Sequence, residues 1–474
     1  MKQFTGGKEE IARVRAEAEA IFRAGLEAAD PEELVKRSLV LEPPRPASSR
    51  GDLVVGVGQG ATACVARYRL DDFDRVVVAG FGKASAAMAR GLVSVLGEKR
   101  ITRGVLVAKD RAEASPKPFS ILYASHPTPD ESSARAAREL LALGELMDER
   151  TLAIVLASGG GSSLLCAPIE GISLEDKART TRLLLGCGAP IQEMNCVRKH
   201  LSAVKGGRLA EAFAPATLLT LVLSDVVGDE LDAIASGPTV PDPTTWAEAL
   251  AIVRRRGIEG KLPSSVADAL SQGAAGLLPE TPKPGDAAFE RTAAFVLGSN
   301  ALSLAAAGHK ARELGYEALE LTSRLTGEAR EAAQFLLGIA KDIRARSVPI
   351  APPACLLCGG ETTVTLRGQG KGGRNQELAL AFLVAAARSP SDAECLYLLS
   401  ASTDGGDGPT DAAGAFADSE AYRAAKRKGI DAEAMLERND SYRYFETAYA
   451  LFKTGHTGTN VCDLQILLIP RLHA

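Results

Sequence analysis

From Arg75 onward the chain repeats one rhythm: a short apolar run, a turn of glycine and small polar residues, then a stretch at helical spacing. The first instance is Val76 to Ala79, the turn Gly-Phe-Gly-Lys, and Ala84 to Leu96. Further strand-like runs are Gly104 to Ala108, Ile121 to Ala124, Leu152 to Ala157 and Thr217 to Leu223, with helical stretches such as Ser132 to Met147 between them. Apolar runs too short for helices, alternating with helical period, predict a mainly parallel sheet covered on both faces.

A chain of 474 residues is too long for one ordinary core, so at least two domains are expected. The segment 10–245 reads as an N-terminal Rossmann-like domain, a three-layer sheet. After Pro238-Thr-Val-Pro-Asp-Pro the composition changes, and 246–291 reads as a connecting or inserted segment with Pro263, Pro279, Pro282 and Pro284. A second α/β domain, 292–474, starts near Phe295-Val-Leu-Gly, with later strands expected at Ala354 to Cys358, Thr362 to Leu366, Leu396 to Ser400 and Leu464 to Ile469. The simplest picture is two α/β domains with the active site in the cleft between them. The first forty residues form an accessory helical prelude closed by Pro43, Pro44 and Pro46.

A formal net charge of -4 argues against a nucleic-acid partner. No run of 18 apolar residues suggests a membrane span, so a small-molecule partner is expected. Met1 to Arg23 mixes charges of both signs without an apolar core, so no secretory signal is read and the cytoplasm is expected. The eight cysteines suit reduced thiols; Cys355-x-x-Cys358 lies in an apolar run with no second ligand pair, which favours a buried strand over a zinc half-site.

Several polar clusters close the apolar runs. Ser158, Gly159, Gly160, Gly161, Ser162 and Ser163 offer backbone N–H groups and hydroxyls with little bulk, which suits either a phosphate cradle or a tight turn needing positive φ. Lys83, in Gly80-Phe-Gly-Lys-Ala-Ser, stands where an ammonium would hold a phosphate or carboxylate. The same turn nearly meets the dinucleotide fingerprint, with Asp110 after the next strand, but its third glycine is missing. The segment from Met194 to Gly207 reads as a helix with Met194, Val197, Leu201 and Val204 on its core side. Asn195, Arg198, Lys199, Ser202 and Lys205 share the other side, with no acid in Arg198 to Lys205 to relieve the cations, so anion binding is expected there. His200 points away from that strip and reads as structural.

Asp225 and Asp229 follow the Leu219 to Leu223 run, at the strand end where open α/β sheets bind ligands; a carboxylate there suits Mg²⁺ or a hydroxyl proton, or a simple capped loop. Asp404 and Asp407 fall in another acid-rich loop, suited to a divalent ion or a hydroxyl substrate, or to a plain acidic turn. Arg374 opens a helix after Gly372-Gly, an electrostatically unfavourable place that suggests a retained task such as clamping phosphoryl charge. His456 is expected to be exposed.

Taken together, Gly80-Phe-Gly-Lys-Ala-Ser, Ser125-His-Pro-Thr-Pro-Asp, Ser158-Gly-Gly-Gly-Ser-Ser, the Asn195 to Gly207 segment, Leu223-Ser-Asp-Val-Val-Gly-Asp, Ser236-Gly-Pro-Thr, Gly298-Ser-Asn, Gly372-Gly-Arg-Asn-Gln-Glu and Ser402-Thr-Asp-Gly-Gly-Asp-Gly-Pro-Thr-Asp resemble, in order and spacing, the glycerate 2-kinase family, whose C-terminal half contains the MOFRL region. The resemblance implies ATP-dependent phosphorylation of D-glycerate at its 2-hydroxyl, giving 2-phosphoglycerate and ADP. It implies Lys83 and Arg374 as residues linked to catalysis, and Asp225 is expected to join them from its place at a strand end. The ATP phosphates are expected on Ser158 to Ser163, with Asn300 in the nucleotide site and Mg²⁺ near Asp225 or Asp229. Glycerate is expected against Asn195, Arg198, Lys199, Lys205, Asp404 and Asp407, its hydroxyl oriented by Asp225 or Asp404, in a monomer or homodimer. No Gly-x-x-x-x-Gly-Lys-Ser/Thr loop is present, which sets the chain apart from P-loop kinases. Two other readings stay open at this point: an NAD(P)H-dependent hydroxypyruvate reductase, and a non-catalytic anion sensor.

Overall fold

The coordinates are a computed structural model, and the structure describes residues 7–44, 49–57, 64–109, 117–390 and 395–471. Asp110, which carried part of the dinucleotide reading, and Pro46 lie outside them. The chain divides into two compact units, Pro31–Leu297 and Met1–Asp30 with Gly298–Ala474.

The unit Pro31–Leu297 carries, after the helix Pro31–Ser38, an antiparallel sheet of β1 (Leu39–Glu42), β2 (Asp52–Gly56) and β3 (Cys64–Arg69). Its main sheet contains β4 (Arg75–Phe81), β5 (Arg103–Ala108), β6 (Phe119–Tyr123), β7 (Thr151–Ala157), β8 (Thr217–Leu223) and β9 (Thr292–Gly298). The spatial order is β6-β5-β4-β7-β8-β9, with parallel pairing from β6 through β8. This is the doubly wound Rossmann order, in which the direction of winding reverses between the first and fourth strands, here β4 and β7. Every residue of β7 is buried, as the continuous apolar run requires of a strand covered on both faces. One face packs Val77, Val105 and Val155 against Ala137, Leu140 and Phe213.

The other unit carries β10 (Glu317–Leu325), β11 (Ala354–Gly360), β12 (Tyr397–Ser402), β13 (Gly414–Ala417), β14 (Leu451–Phe452) and β15 (Asp463–Ile469), ordered β10-β11-β15-β12-β13-β14. Only β10 and β11 pair in parallel; the remaining pairs are antiparallel. Helix Arg374–Ala387 covers one face, and helices Lys8–Ala28 and Asn300–Glu313 cover the other through Val14, Ile21, Phe22, Leu304 and Ala307.

Three sequence expectations change. The prelude helix joins the second unit rather than the 10–245 domain, because its Ile11, Val14, Ile21 and Phe22 stripe matches the open face of that sheet. The segment 246–291 is not a bare connector but part of the first unit: helices Trp246–Arg255 and Ser264–Ala274 bury Trp246, Val253, Val266 and Leu270 with Met194 and Val197. Gly273 makes this packing possible, since a Cβ there would lie 2.2 Å from the Trp246 ring. Finally, Thr362 to Leu366 forms no strand; it contributes only an isolated bridge, Glu328 to Thr363. Cys355 and Cys358 lie inside β11 as free, buried thiols, and burial pushes Cys358 up to about 12.

Candidate functional site

The switch between β4 and β7 is built by two turns laced together. Gly82 takes φ +113 and donates to the Val107 carbonyl at 3.2 Å. A Cβ at Gly82 would lie 2.2 Å from Ser158 Oγ, so only glycine lets the turns approach. The Lys83 amide donates to the Gly159 carbonyl at 2.9 Å, the Ala84 amide to Ser158 Oγ at 3.0 Å, and the Ser158 amide to the Phe81 carbonyl at 3.0 Å. Ser158 is 1% exposed and its hydroxyl ties one turn to the other, so it positions the loop rather than offering itself to a nucleotide.

The lacing decides against a dinucleotide turn. In that fold the amides after the first strand cradle a pyrophosphate, whereas here those of Gly82, Lys83 and Ala84 all donate within the protein. Ser85, in place of the third glycine, donates to the carbonyls of Gly82 and Val107 at 2.9 and 3.3 Å.

The Ser158 to Ser163 loop also brings in β8. A Cβ on Gly159 would fall 2.3 Å from Asp225 Oδ2, so the carboxylate at the end of β8 lies directly against the loop. Gly160, at φ +81, faces Lys83 and His126; its Cβ would be 3.4 Å from Lys83 Cγ and 3.0 Å from His126 Cδ2. Lys83, the glycine loop and Asp225 therefore meet at the C-terminal ends of three neighbouring strands. The following helix, Gly161–Leu164, is a single turn, and the Gly161 and Ser163 amides bond within the loop, to Ser158 and Gly160 at 3.3 and 3.2 Å. The cradle is thus narrower than the sequence suggests.

Behind the loop lies a cavity of about 350 Å³, its wall including Ser162, Ser163, Lys177, Arg198 and Lys205. Lys205 is 1% exposed and donates to the Ser162 carbonyl at 2.8 Å. Lys177, on helix Leu174–Gly186, is 4% exposed and its Nζ has no hydrogen-bond partner. Burial, reinforced by Arg198 and Arg208, pushes its ammonium down to about 8. Burial and Arg198 hold Lys205 well below the usual lysine range, and burial lowers Arg198 too. Among the described residues, no Asp or Glu lines this cavity.

The cationic strip is arranged differently from its helical projection. The helix, Ile191–His200, ends at His200, and the chain beyond turns so that Ser202 and Lys205 are as buried as Leu201 and Val204. Lys199 leaves the strip: its Nζ bonds Asp232 at 3.0 Å and the fully buried Asp242 at 3.4 Å, a structural pair that removes it from the expected substrate contacts. Asn195 is 5% exposed and reaches the loop indirectly, accepting from Ser236 Oγ at 3.2 Å, which in turn meets Ser162 Oγ at 2.8 Å. His200 is structural, between the Cys196 carbonyl and Glu280.

Lys177 was missed in the sequence, and Ser236 was read only as part of a motif, with no role of its own. Lys177 had a legible signal, since it stands seven residues before the buried Leu184 and so falls on that helix's inner face.

In the second unit Arg374 opens helix Arg374–Ala387. Its Nε and Nη2 bond Asp463 at 2.6 and 2.8 Å, and its Nη1 meets Glu361 at 3.0 Å. Burial alone would lower its pKa, but Asp463 and Glu361 outweigh it and raise the guanidinium above its ordinary range. Asp407 is fully buried and accepts from the amides of Asn375 and Gln376 at 3.1 and 2.9 Å, capping the helix that Arg374 begins. That corrects its expected contact with substrate; burial, against those two hydrogen bonds, pushes it up to about 6. Asn300, expected in the nucleotide site, donates through Nδ2 to the carbonyls of Val461 and Asp463 at 2.8 and 2.9 Å, while its buried Oδ1 has no hydrogen-bond partner. Asp404 is half-buried and accepts from Ser402 Oγ and the Gly406 amide at 2.9 and 3.0 Å. His456 is exposed.

Among the described residues no cluster of three His, Cys, Asp or Glu side chains could hold a metal ion. Asp225 and Asp229, both half-buried in the loop after β8, are an oxygen-only pair. Such a pair suits Mg²⁺, which is usually held by one or two carboxylates plus substrate phosphates.

Two families match the chain: one described as "Domain of unknown function (DUF4147)", over residues 17–271, and the MOFRL family, over residues 354–463. A D-glycerate 2-kinase of Thermotoga maritima is 43% identical over 399 residues, 84% of this chain and 91% of that protein. A protein of Agrobacterium vitis named putative hydroxypyruvate reductase is 43% identical over 397 residues, 83% of this chain and 87% of its own length. The crystal structure of a Thermotoga maritima glycerate kinase superposes with a TM-score of 0.80 at 39% identity, covering 97% of this chain and 100% of that one. With the Rossmann strand order, the laced β4–β7 turns and these relatives along nearly its whole length, the chain belongs to the glycerate 2-kinase family.

Proposed function

We propose that this chain phosphorylates D-glycerate at its 2-hydroxyl with ATP, releasing 2-phosphoglycerate and ADP, and that it does so in the cytoplasm as a monomer or homodimer. The observation that carries the reading is the meeting of Lys83, the Ser158 to Ser163 loop and Asp225 at the β4–β7 switch, directly in front of a cavity walled by Arg198 and Lys205. Phosphoryl transfer asks little covalent chemistry of a protein; it asks for positioning and for charge on the moving group to be neutralised.

Each group has a task in that scheme. Gly159 to Ser163 receive the nucleotide phosphates, close enough because glycine leaves the backbone uncovered. Mg²⁺, held by Asp225 or Asp229, would neutralise phosphate charge. Arg198 and Lys205 receive the carboxylate of glycerate. Asp225 accepts the proton of the 2-hydroxyl as its oxygen attacks the γ-phosphorus, and the bond from that phosphorus to the bridging oxygen of ADP breaks. Lys83, beside Gly160, balances the negative charge on the transferring group. The reductase alternative needs a pyrophosphate cradle, and the amides that would form it are already engaged.

Lys83→Ala tests the assignment through steady-state kinetics. A fall in kcat of about a hundredfold or more, with the fold intact by circular dichroism, is expected for loss of a charge acting on the transition state. Near-normal kcat in Lys83→Ala would remove Lys83 from the mechanism.

A further inference from the structure

The cavity behind the glycine loop holds more positive charge than its proposed task requires. Lys177, Arg198 and Lys205 line it, the first and last at 4% and 1% exposure, and no acid among the described residues lines it with them. One carboxylate balances one of these charges and leaves two like charges buried together. Unpaired buried charge is costly, and a protein that retains it at a ligand site has a ligand to complement it. Lys177 sharpens the point, because its Nζ is buried and has no partner in the protein. A cavity of about 350 Å³ also exceeds what a three-carbon acid fills.

We infer that the Lys177–Arg198–Lys205 cavity binds a compact polyanion bearing a carboxylate and a phosphate on the same small carbon skeleton, the class of the phosphorylated acid that the proposed reaction releases. The identity of the anion rests on the glycerate kinase reading. Ser162 and Ser163, at the mouth of the cavity and in the loop assigned to the nucleotide phosphates, place a phosphate within reach of both. Lys177 is then a further binding residue, and its consequence is product retention: the phosphorylated acid competes with glycerate for the cavity. The lowered ammonium pKa of Lys177 fits an empty site waiting for anionic charge, since a bound polyanion would raise it back towards the ordinary lysine range.

Isothermal titration of the full chain with 2-phosphoglycerate, D-glycerate, inorganic phosphate and ADP tests this, using the wild type, Lys177→Met and Arg198→Gln. 2-Phosphoglycerate is expected to bind the wild type about tenfold or more tightly than D-glycerate, by virtue of the added charge-assisted contacts. In Lys177→Met that advantage shrinks towards parity, in Arg198→Gln both acids weaken together, and ADP binding is unchanged in either. Equal affinities in the wild type, or an advantage that survives in Lys177→Met, overturns the inference. Loss of ADP affinity in the variants also overturns it, by assigning the cavity to the nucleotide phosphates. If Lys177→Met does not fold, Lys177→Gln carries the same comparison. A wild type that releases no ADP with glycerate yet keeps Lys177-dependent binding of 2-phosphoglycerate defeats the kinase reading and leaves the cavity assignment standing.

Discussion

Replacing Lys177 with methionine should make the unliganded protein more stable, the opposite of what a structural lysine would show. The substitution keeps an unbranched chain of similar size and removes only the ammonium, which is buried, unpartnered and close to Arg198. An ammonium whose pKa falls from 10.5 to about 8 on folding costs about 3 kcal/mol at neutral pH. The sign follows from proton counting. Between about 8 and 10.5 the unfolded chain binds more protons than the folded one, so stability rises with pH across that window. Below it the full penalty applies, and above it the penalty is gone. Urea denaturation of the wild type and Lys177→Met from pH 7 to 10 reads both effects. The variant should gain up to about 3 kcal/mol at pH 7, and the gain should shrink steadily as the pH approaches 10. A variant destabilised at pH 7, or a gain that does not change with pH, would mean instead that Lys177 has a partner or keeps its ordinary proton affinity.

Other consequences follow from single contacts. Arg374→Ala removes both bonds to the fully buried Asp463 and should destabilise the protein by about 3–5 kcal/mol by stranding that charge; double substitution with Asp463→Asn should recover part of the loss, as a denaturation cycle would show. Gly159→Ala places a Cβ 2.3 Å from Asp225 Oδ2, so kcat should fall about tenfold or more by displacing that carboxylate, with little change in melting temperature. Asp407, pushed up to about 6 from 3.8, binds its proton more tightly folded than unfolded. It should therefore contribute stability below pH 4 that is lost as the pH rises through about 6, a slope that Asp407→Asn removes from the pH profile.

Much of this architecture was legible because parallel strands buried on both faces write continuous apolar runs. Leu152 to Ala157 and Thr217 to Leu223 appear in the structure as β7 and β8. The strand β10, Glu317–Leu325, was missed because none of its residues is fully buried, so an edge strand of mixed polarity leaves no apolar run to read. Thr362 to Leu366 erred the other way: β-branched residues gave strand propensity, but the backbone there has only one bridge partner.

At the site, local signals found the loops and missed the pairings. Glycines and acids at strand ends marked Gly159 and Asp225, but nothing local says that Asp242, more than forty residues away, neutralises Lys199, or that Asp463 pairs with Arg374. Long-range partners separate a structural cation from a ligand-binding one. That is why Lys199 left the strip and Lys177, hidden on an amphipathic helix, joined Arg198 and Lys205.

Transfer of a phosphoryl group to the 2-hydroxyl of glycerate leaves its signature in the phosphorus spectrum of the product. Protein, D-glycerate and Mg-ATP are incubated, and the proton-coupled ³¹P signal of the new phosphomonoester is recorded alongside ADP formation. Phosphate on the 2-oxygen sits next to a carbon with one hydrogen and should give a doublet; phosphate on the terminal oxygen would give a triplet. A doublet that grows with ADP is the predicted result. A triplet, no glycerate-dependent ADP, or turnover seen only as NADH consumption with hydroxypyruvate would contradict the account.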